Sequence, residues 1–206
     1  MTIRAIVFDI GGVLEITPRI GVTEKWEAIF HLQAGELDKR LYEVWKGGSI
    51  GTITEADVHQ QIGDILSIKA AQVNAFMDDT WKEYLGTLDV ELANYFTKLH
   101  QTYITAIISN SFVGAREKEI ATYHFDKMTE LIIYSHEVGI QKPDPRIFEL
   151  ACERLEIKPE EMIFVDDVEE NIAAAQQLGI HGILHQNTAQ TIAEIEAAIG
   201  DKISTC

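Results

Sequence analysis

The stretch Ile3-Arg4-Ala5-Ile6-Val7-Phe8-Asp9-Ile10-Gly11-Gly12-Val13-Leu14 decides how the rest of the chain is read. Its first half is apolar apart from Arg4 and rich in β-branched residues, so it predicts a buried strand. Asp9 and the glycine pair end it and open a turn. Four further apolar runs follow: Ile104 to Ile108, Leu131 to Tyr134, Met162 to Val165, and a weaker one from Ile180 to Leu184. Strands apolar at every position suit a parallel sheet covered on both faces rather than an antiparallel sheet with a wet side.

Helical spacing fills the gaps between those runs. Leu92, Phe96 and Leu99 make one stripe, and Ile147, Phe148, Ala151 and Leu155 another. Ile172 to Leu178 closes on Gly179, a residue suited to a left-handed C-cap, and a last helix carries Ile192, Ile195 and Ile199 up to Gly200. Alternating strands and helices predict an α/β class, a Rossmann-like doubly wound sheet with right-handed crossovers. The segment from about 17 to 85 breaks the alternation, with helical periodicity and no convincing strand. Its stripes are Trp26, Ile29 and Phe30; Val58, Ile62, Ile65 and Leu66, with Thr54 and Asp57 spaced as a capping box; and Val73, Phe76, Met77, Trp81 and Tyr84. Lys46 to Gly51 reads as a flexible break. The expected organisation is a core from 1–16 and 86–206 and a small all-helical insertion over 17–85.

Composition narrows the partners. Lys and Arg number 17 against 33 Asp and Glu, a formal charge of -16, which repels nucleic acid and anionic membrane surfaces. Cys152 lies in an apolar helical stripe and Cys206 stands at the end, a usage without disulfide or thiolate-metal spacing. Neither a charged-then-apolar leader nor a run of roughly 18 apolar residues occurs. The expected setting is cytoplasmic, with a small molecule as partner and neither nucleic acid nor membrane. A homodimer is compatible with the sequence, though no feature demands one.

Four polar sites fall at the ends of predicted strands or in the following loops: Asp9, Ser109, Lys142 and Asp166-Asp167. Each alone has an ordinary role as turn residue, helix cap or surface lysine. An open parallel sheet, however, brings the carboxyl ends of its strands to one crevice. Gathered there, the set makes chemical sense. A carboxylate such as Asp9 can attack phosphorus if the phosphoryl charge is neutralised. Lys142 supplies a positive charge, Ser109 a hydroxyl, and the Gly11-Gly12 turn lets backbone N–H groups approach. Asp9 and Asp166 could together hold Mg²⁺, which takes one or two carboxylates and keeps several waters.

These segments resemble the haloacid-dehalogenase-like hydrolases. Phe8-Asp9-Ile10-Gly11-Gly12-Val13-Leu14 is similar to their first motif, Ile107-Ile108-Ser109-Asn110 to the second, Gln141-Lys142-Pro143-Asp144-Pro145-Arg146-Ile147-Phe148 to the third, and Phe164-Val165-Asp166-Asp167 with Asn171 to the fourth. The resemblance implies an α-helical cap after the first motif and a Mg²⁺-dependent phosphatase-type hydrolase acting on a small phosphorylated metabolite, such as a sugar phosphate or nucleotide, through an aspartyl-phosphate. Asp9 would be the nucleophile. Ser109, Asn110, Lys142 and Gly12 would bind the phosphoryl group, and Asp9, Asp166, Asp167 and the Gly11 carbonyl would surround the metal.

The chain departs from that pattern at Gly11, where phosphatases of the family usually carry a second Asp as general acid and base. Glu15, or His31 or Glu43 from the cap, is then a substitute proton donor, with Glu15 ranked first. The alternative is a weak or silent phosphate-binding or regulatory protein. Dehalogenase chemistry fits less well, since those members usually lack the acidic pair and carry an aromatic residue at the Gly11 position. A phosphoacceptor receiver domain would place the acidic pair after the first strand, whereas here it comes last. Arg19, Lys25, Trp45 and Lys46 are the candidate specificity residues.

Overall fold

The computed structural model describes residues 2–200; Met1 and 201–206, and with them Cys206, lie outside the described residues. In chain order the elements are β1 (Ala5–Phe8), β2 (Glu15–Ile16), α1 (Val22–Ile29), α2 (Glu36–Ser49), α3 (Glu55–Leu66), α4 (Ala70–Leu85), β3 (Thr87–Leu88), α5 (Val90–Leu99), β4 (Ile104–Ser109) and α6 (Ala115–Tyr123). There follow β5 (Leu131–Tyr134), α7 (Ser135–Val138), α8 (Pro145–Leu155), β6 (Met162–Asp166), α9 (Glu169–Gln177), β7 (His181–Leu184) and α10 (Thr188–Gly200). The fold is α/β, with a five-stranded parallel sheet in the order β5-β4-β1-β6-β7.

The period of two along each strand decides which helices cover which face. Ile6 and Phe8 point to one side, where Leu92 and Phe96 of α5 and Ile195 of α10 meet them. Ala5 and Val7 point to the other, against Ile147, Phe148 and Ala151 of α8 and Ile172 of α9. All four β1 residues are fully buried, as the uninterrupted apolar run requires. Cys152 belongs to the second face as a small buried hydrophobe. Gly179 adopts φ +87, the left-handed cap expected of it.

α1 to α4 form a separate apolar cluster around Trp26, Leu41, Val58, Ile62, Phe76 and Trp81. The capping box is present: Asp57 N donates to Thr54 Oγ1 at 3.2 Å and Thr54 N to Asp57 Oδ2 at 2.9 Å. Two expectations change. Ile29 and Ile65 leave the buried stripes, being 46% and 39% exposed. Lys46 to Gly51 is no flexible break, because α2 continues through Ser49 with Gly47 and Gly48 buried. A methyl group on Gly48 would overlap the Phe112 ring, so glycine serves there for close helix packing rather than for bending. Just outside the insertion, β2 and β3 pair antiparallel, Glu15 opposite Leu88, and tie together the chain entering and leaving the four helices. Strands this short carry no periodic signal to detect. Among the described residues no helix is long and apolar enough to cross a membrane.

Candidate active site

The sheet order places β1 between β4 and β6, so the chain leaves the sheet's centre toward opposite edges. The crevice beyond the carboxyl ends of these strands is where such a sheet can hold a ligand. Phe8 is level with Ile107 on one neighbour and Val165 on the other. Asp9 therefore emerges beside Ser109, the last residue of β4, and Asp166, the last of β6.

Lys142 reaches this point from the loop between α7 and α8. Its fully buried ammonium lies 2.8 Å from Asp9 Oδ1 and 2.6 Å from Asp166 Oδ2. Ile10 N also donates to Asp9 Oδ1, at 2.7 Å. Both contacts fall on the same oxygen, and among the described residues no hydrogen bond is made to Oδ2. Burial pushes the Asp9 carboxyl up to about 7, with the nearby Asp166 charge adding and Lys142 opposing. Asp166 is held by Asn171 Nδ2, 3.0 and 3.1 Å from its two oxygens, and by Val168 N at 2.8 Å.

Asp9, Asp166 and Asp167 each present an oxygen within 4.8 Å of the others. Burial first, and Asp166 second, push the Asp167 carboxyl above the usual range. With all three ionised, three carboxylates against the one ammonium of Lys142 leave an excess of two negative charges. A hard divalent cation with oxygen ligands fits that donor set and that charge.

Two of the expected phosphate contacts are differently engaged. The Asn110 amide grips the Lys142 backbone from both ends, Nδ2 to the carbonyl at 2.8 Å and Lys142 N to Oδ1 at 2.7 Å. Asn110 thus positions the lysine. The Gly12 N–H donates to the Glu15 carbonyl at 2.8 Å, and Gly12 at φ +75 instead makes room for Asp167, whose carboxylate a methyl group would overlap. Of the candidate specificity residues, Trp45 and Lys46 line a cavity beside the crevice. Arg19 is exposed, and Lys25 pairs with Asp79 at 2.5 Å.

Sequence reasoning missed Glu119. It lies in α6, whose polar composition conceals that this one acid is fully buried. Tyr134 donates to its Oε2 at 2.5 Å. Oε1 of Glu119 and Oε1 of Glu15 are both buried without a hydrogen-bond partner among the described residues. Burial, then the Glu119 charge, then that of Asp9 push Glu15 up to about 9. Burial raises Glu119 to about 7 against the opposing pull of its tyrosine neighbours. In both cases the folded state retains a proton that the unfolded chain releases above about 4.5, so stability falls as pH rises from there toward 9. Glu15→Gln is expected to flatten this slope and to gain on the order of 2 kcal/mol at pH 8. Urea unfolding in EDTA between about pH 5 and 8 checks it, and parallel curves for the two proteins would mean that Glu15 ionises normally.

A profile of haloacid dehalogenase-like hydrolases matches residues 3–179. Acyl-CoA dehydrogenase family member 10 of Mus musculus is 29% identical over 96% of this chain, which spans only 19% of that protein's length. The sesquiterpene phosphatase astK of Aspergillus oryzae is 24% identical over 97% of this chain and 98% of its own. Among solved structures, a HAD family enzyme of Bacteroides thetaiotaomicron in complex with magnesium and inorganic phosphate superposes with a TM-score of 0.76 at 25% identity, covering 89% of this chain and 94% of that one.

Proposed function

The chain belongs to the haloacid dehalogenase-like hydrolases, and from that premise we propose that it is a Mg²⁺-dependent phosphomonoester hydrolase working through an aspartyl-phosphate at Asp9. The observation that carries the reading is the buried Asp9-Lys142-Asp166 chain at the mouth of the three central strands, with Asp167 close by. Relatives named as phosphatases, and a structural neighbour holding magnesium and phosphate, support it.

In this reading Asp9 Oδ2, free of hydrogen bonds among the described residues, attacks phosphorus while Lys142 and the Ile10 N–H hold Oδ1. The bond from phosphorus to the alcohol oxygen breaks as the bond to Asp9 forms. Water then cleaves the acyl phosphate, releasing inorganic phosphate and restoring the carboxylate. Ser109 donates its hydroxyl to the phosphoryl oxygens, and Lys142 neutralises charge on them. Mg²⁺, held by Asp9, Asp166, Asp167 and the Gly11 carbonyl, would offset the remaining negative charge around the transferring group. Core and cap divide at 1–16 with 86–206 and at 17–85, the helices standing over the crevice.

The departing alkoxide needs a proton. His31 and Glu43 are exposed, and neither lines the cavity beside the crevice. Glu15 does not line that cavity either, but it follows the Asp9 loop closely and burial keeps it protonated, so it is the candidate retained. Gly11 explains why turnover would be modest, and it favours a second reading, a weak or silent phosphate-binding protein. Nothing lies within 4 Å of where a Gly11 Cβ would stand, and its backbone is not left-handed, so a carboxylic acid fits there. Gly11→Asp is expected to raise kcat on unactivated esters by about 10²-fold, the lower end of what a positioned general acid contributes. An unchanged rate would mean that protonation of the leaving group does not limit turnover.

The deciding experiment is phosphate release from a panel of monoesters, with and without Mg²⁺. Metal-dependent release supports the hydrolase, and none from any ester moves the assignment to the silent reading.

A further inference from the structure

Between the helical insertion and the sheet lies a cavity of about 540 Å³, within the roughly 300–1,000 Å³ typical of sites that bury most of a small ligand. It reaches the chemistry directly. Asn110 and Gln141 line it, and they are the chain neighbours of Ser109 and Lys142. Whatever organic group is attached to a phosphoryl group on Asp9 therefore has this cavity in front of it.

Its walls are apolar. Trp45 of α2 and Trp81 of α4 both meet the edge of Phe112, with ring centroids 5.6 and 6.1 Å apart, and Met77 and Ile50 fill the space between. More telling is what the polar groups of the lining already do. Thr80 Oγ1 donates to the Phe76 carbonyl in its own helix at 2.9 Å, and Ser49 Oγ to the Lys46 carbonyl at 3.0 Å. Ser111 Oγ is 2.6 Å from His136 Nδ1, and the Asn110 amide holds the Lys142 backbone. Of the other polar groups, Tyr42, Lys46 and Gln141 are exposed at the rim, and the Trp45 and Trp81 indole N–H groups and the Tyr84 hydroxyl are the few donors along the walls.

A polyol or a nucleoside in this cavity would give up water at several hydroxyls for few replacements along the walls, a cost that apolar contact does not recover. An apolar group would lose nothing and would bury its surface against three aromatic rings. We infer that the substrate is the phosphomonoester of a predominantly apolar alcohol of terpenoid size, rather than a sugar phosphate or nucleotide. The inference rests on the phosphatase reading for its chemistry and on the cavity for its specificity. The net reaction is ester plus water giving the apolar alcohol and inorganic phosphate, with the alcohol left in the cavity.

The test compares geranyl phosphate with ribose 5-phosphate on the full chain with Mg²⁺, alongside geraniol binding followed by the emission of Trp45 and Trp81. Geranyl phosphate is expected to have the higher kcat/KM by about 100-fold, within what a single methylene in a hydrophobic pocket can supply. Trp45→Ala is expected to reduce that preference about 10-fold, by removing an aromatic wall. Equal or better turnover of ribose 5-phosphate overturns the inference and leaves the phosphatase standing. If neither ester is hydrolysed, the phosphatase reading fails and geraniol decides the cavity separately: a blue shift of tryptophan emission supports an apolar-alcohol site, and an unchanged spectrum removes it. The geraniol titration uses the unmodified protein, so it holds even if Trp45→Ala does not fold.

Discussion

Asp9→Asn is expected to lose phosphate release by about 10⁴-fold or more, in the range seen when a covalent nucleophile is removed from an enzyme. The change is nearly isosteric. It leaves Lys142 its 2.6 Å contact with Asp166, and the amide oxygen can still accept from Ile10 N and Lys142. The folded protein should therefore survive, and the loss should show up in kcat. Two measurements check it: phosphate release on the best ester of the panel, and mass analysis of acid-quenched protein for a phosphoryl group on the peptide containing Asp9. Wild type should show the adduct and the variant should not. A variant that retains a tenth of the turnover would remove Asp9 as nucleophile.

Lys142→Met is expected to cost about 3 kcal/mol of stability at neutral pH without metal, because removing one partner of a buried ion pair leaves the other charged and unpaired. Here two carboxylates are left, Asp9 and Asp166, on either side of a side chain that is 0% exposed. The sign of the pH dependence follows. Burial already raises the Asp9 carboxyl and Lys142 opposes that rise, so without the ammonium Asp9 titrates higher still, and the deficit grows as pH rises through the carboxylate range and shrinks below about 5. Mg²⁺ should restore part of the loss by replacing the missing positive charge, and the uncharged, length-matched methionine keeps the packing against Phe164, whose ring centre is 5.5 Å from Nζ. Urea unfolding at about pH 5 and 8, with EDTA or Mg²⁺, measures all three effects. A deficit that is independent of pH and of metal would mean that the lysine contributes by packing alone.

Much of this protein is legible along the chain itself. The five core strands are where apolar runs predict them, most sharply β1 and β6, because a strand buried on both faces leaves few polar positions and so marks its own boundaries, whereas the edge strand β7, with exposed His181, gives a weaker run. The polar residues that end those runs are legible as one site for the same reason: a parallel sheet admits one crevice, and Asp9, Ser109 and Asp166 all stand at its edge. Lys142 needs more, since it ends no strand. The motif around Pro143 marks it, while its place between two carboxylates comes from the fold. The helical insertion is legible as helical but not in detail. Two-residue strands leave no period, and paired glycines at Gly47 and Gly48 signal a break in one dimension and a close contact in three.

By itself, then, the sequence determined the class of fold and the order of its strands along the chain, and it marked the polar residues that meet at the crevice, since these depend on local periodicity and on residue type. Only the tertiary structure decided how those residues are used. It set the Asn110 side chain as a clamp on the Lys142 backbone and placed the Asp167 carboxylate against Gly12. It buried Glu119 out of a polar helix and set it near Glu15, and it closed the Thr80 and Ser49 hydroxyls of the cavity onto backbone carbonyls. The physical reason is common to all of these. Burial, hydrogen-bond partners and free volume are properties of segments far apart in the chain, and no period along one segment encodes what another will place against it.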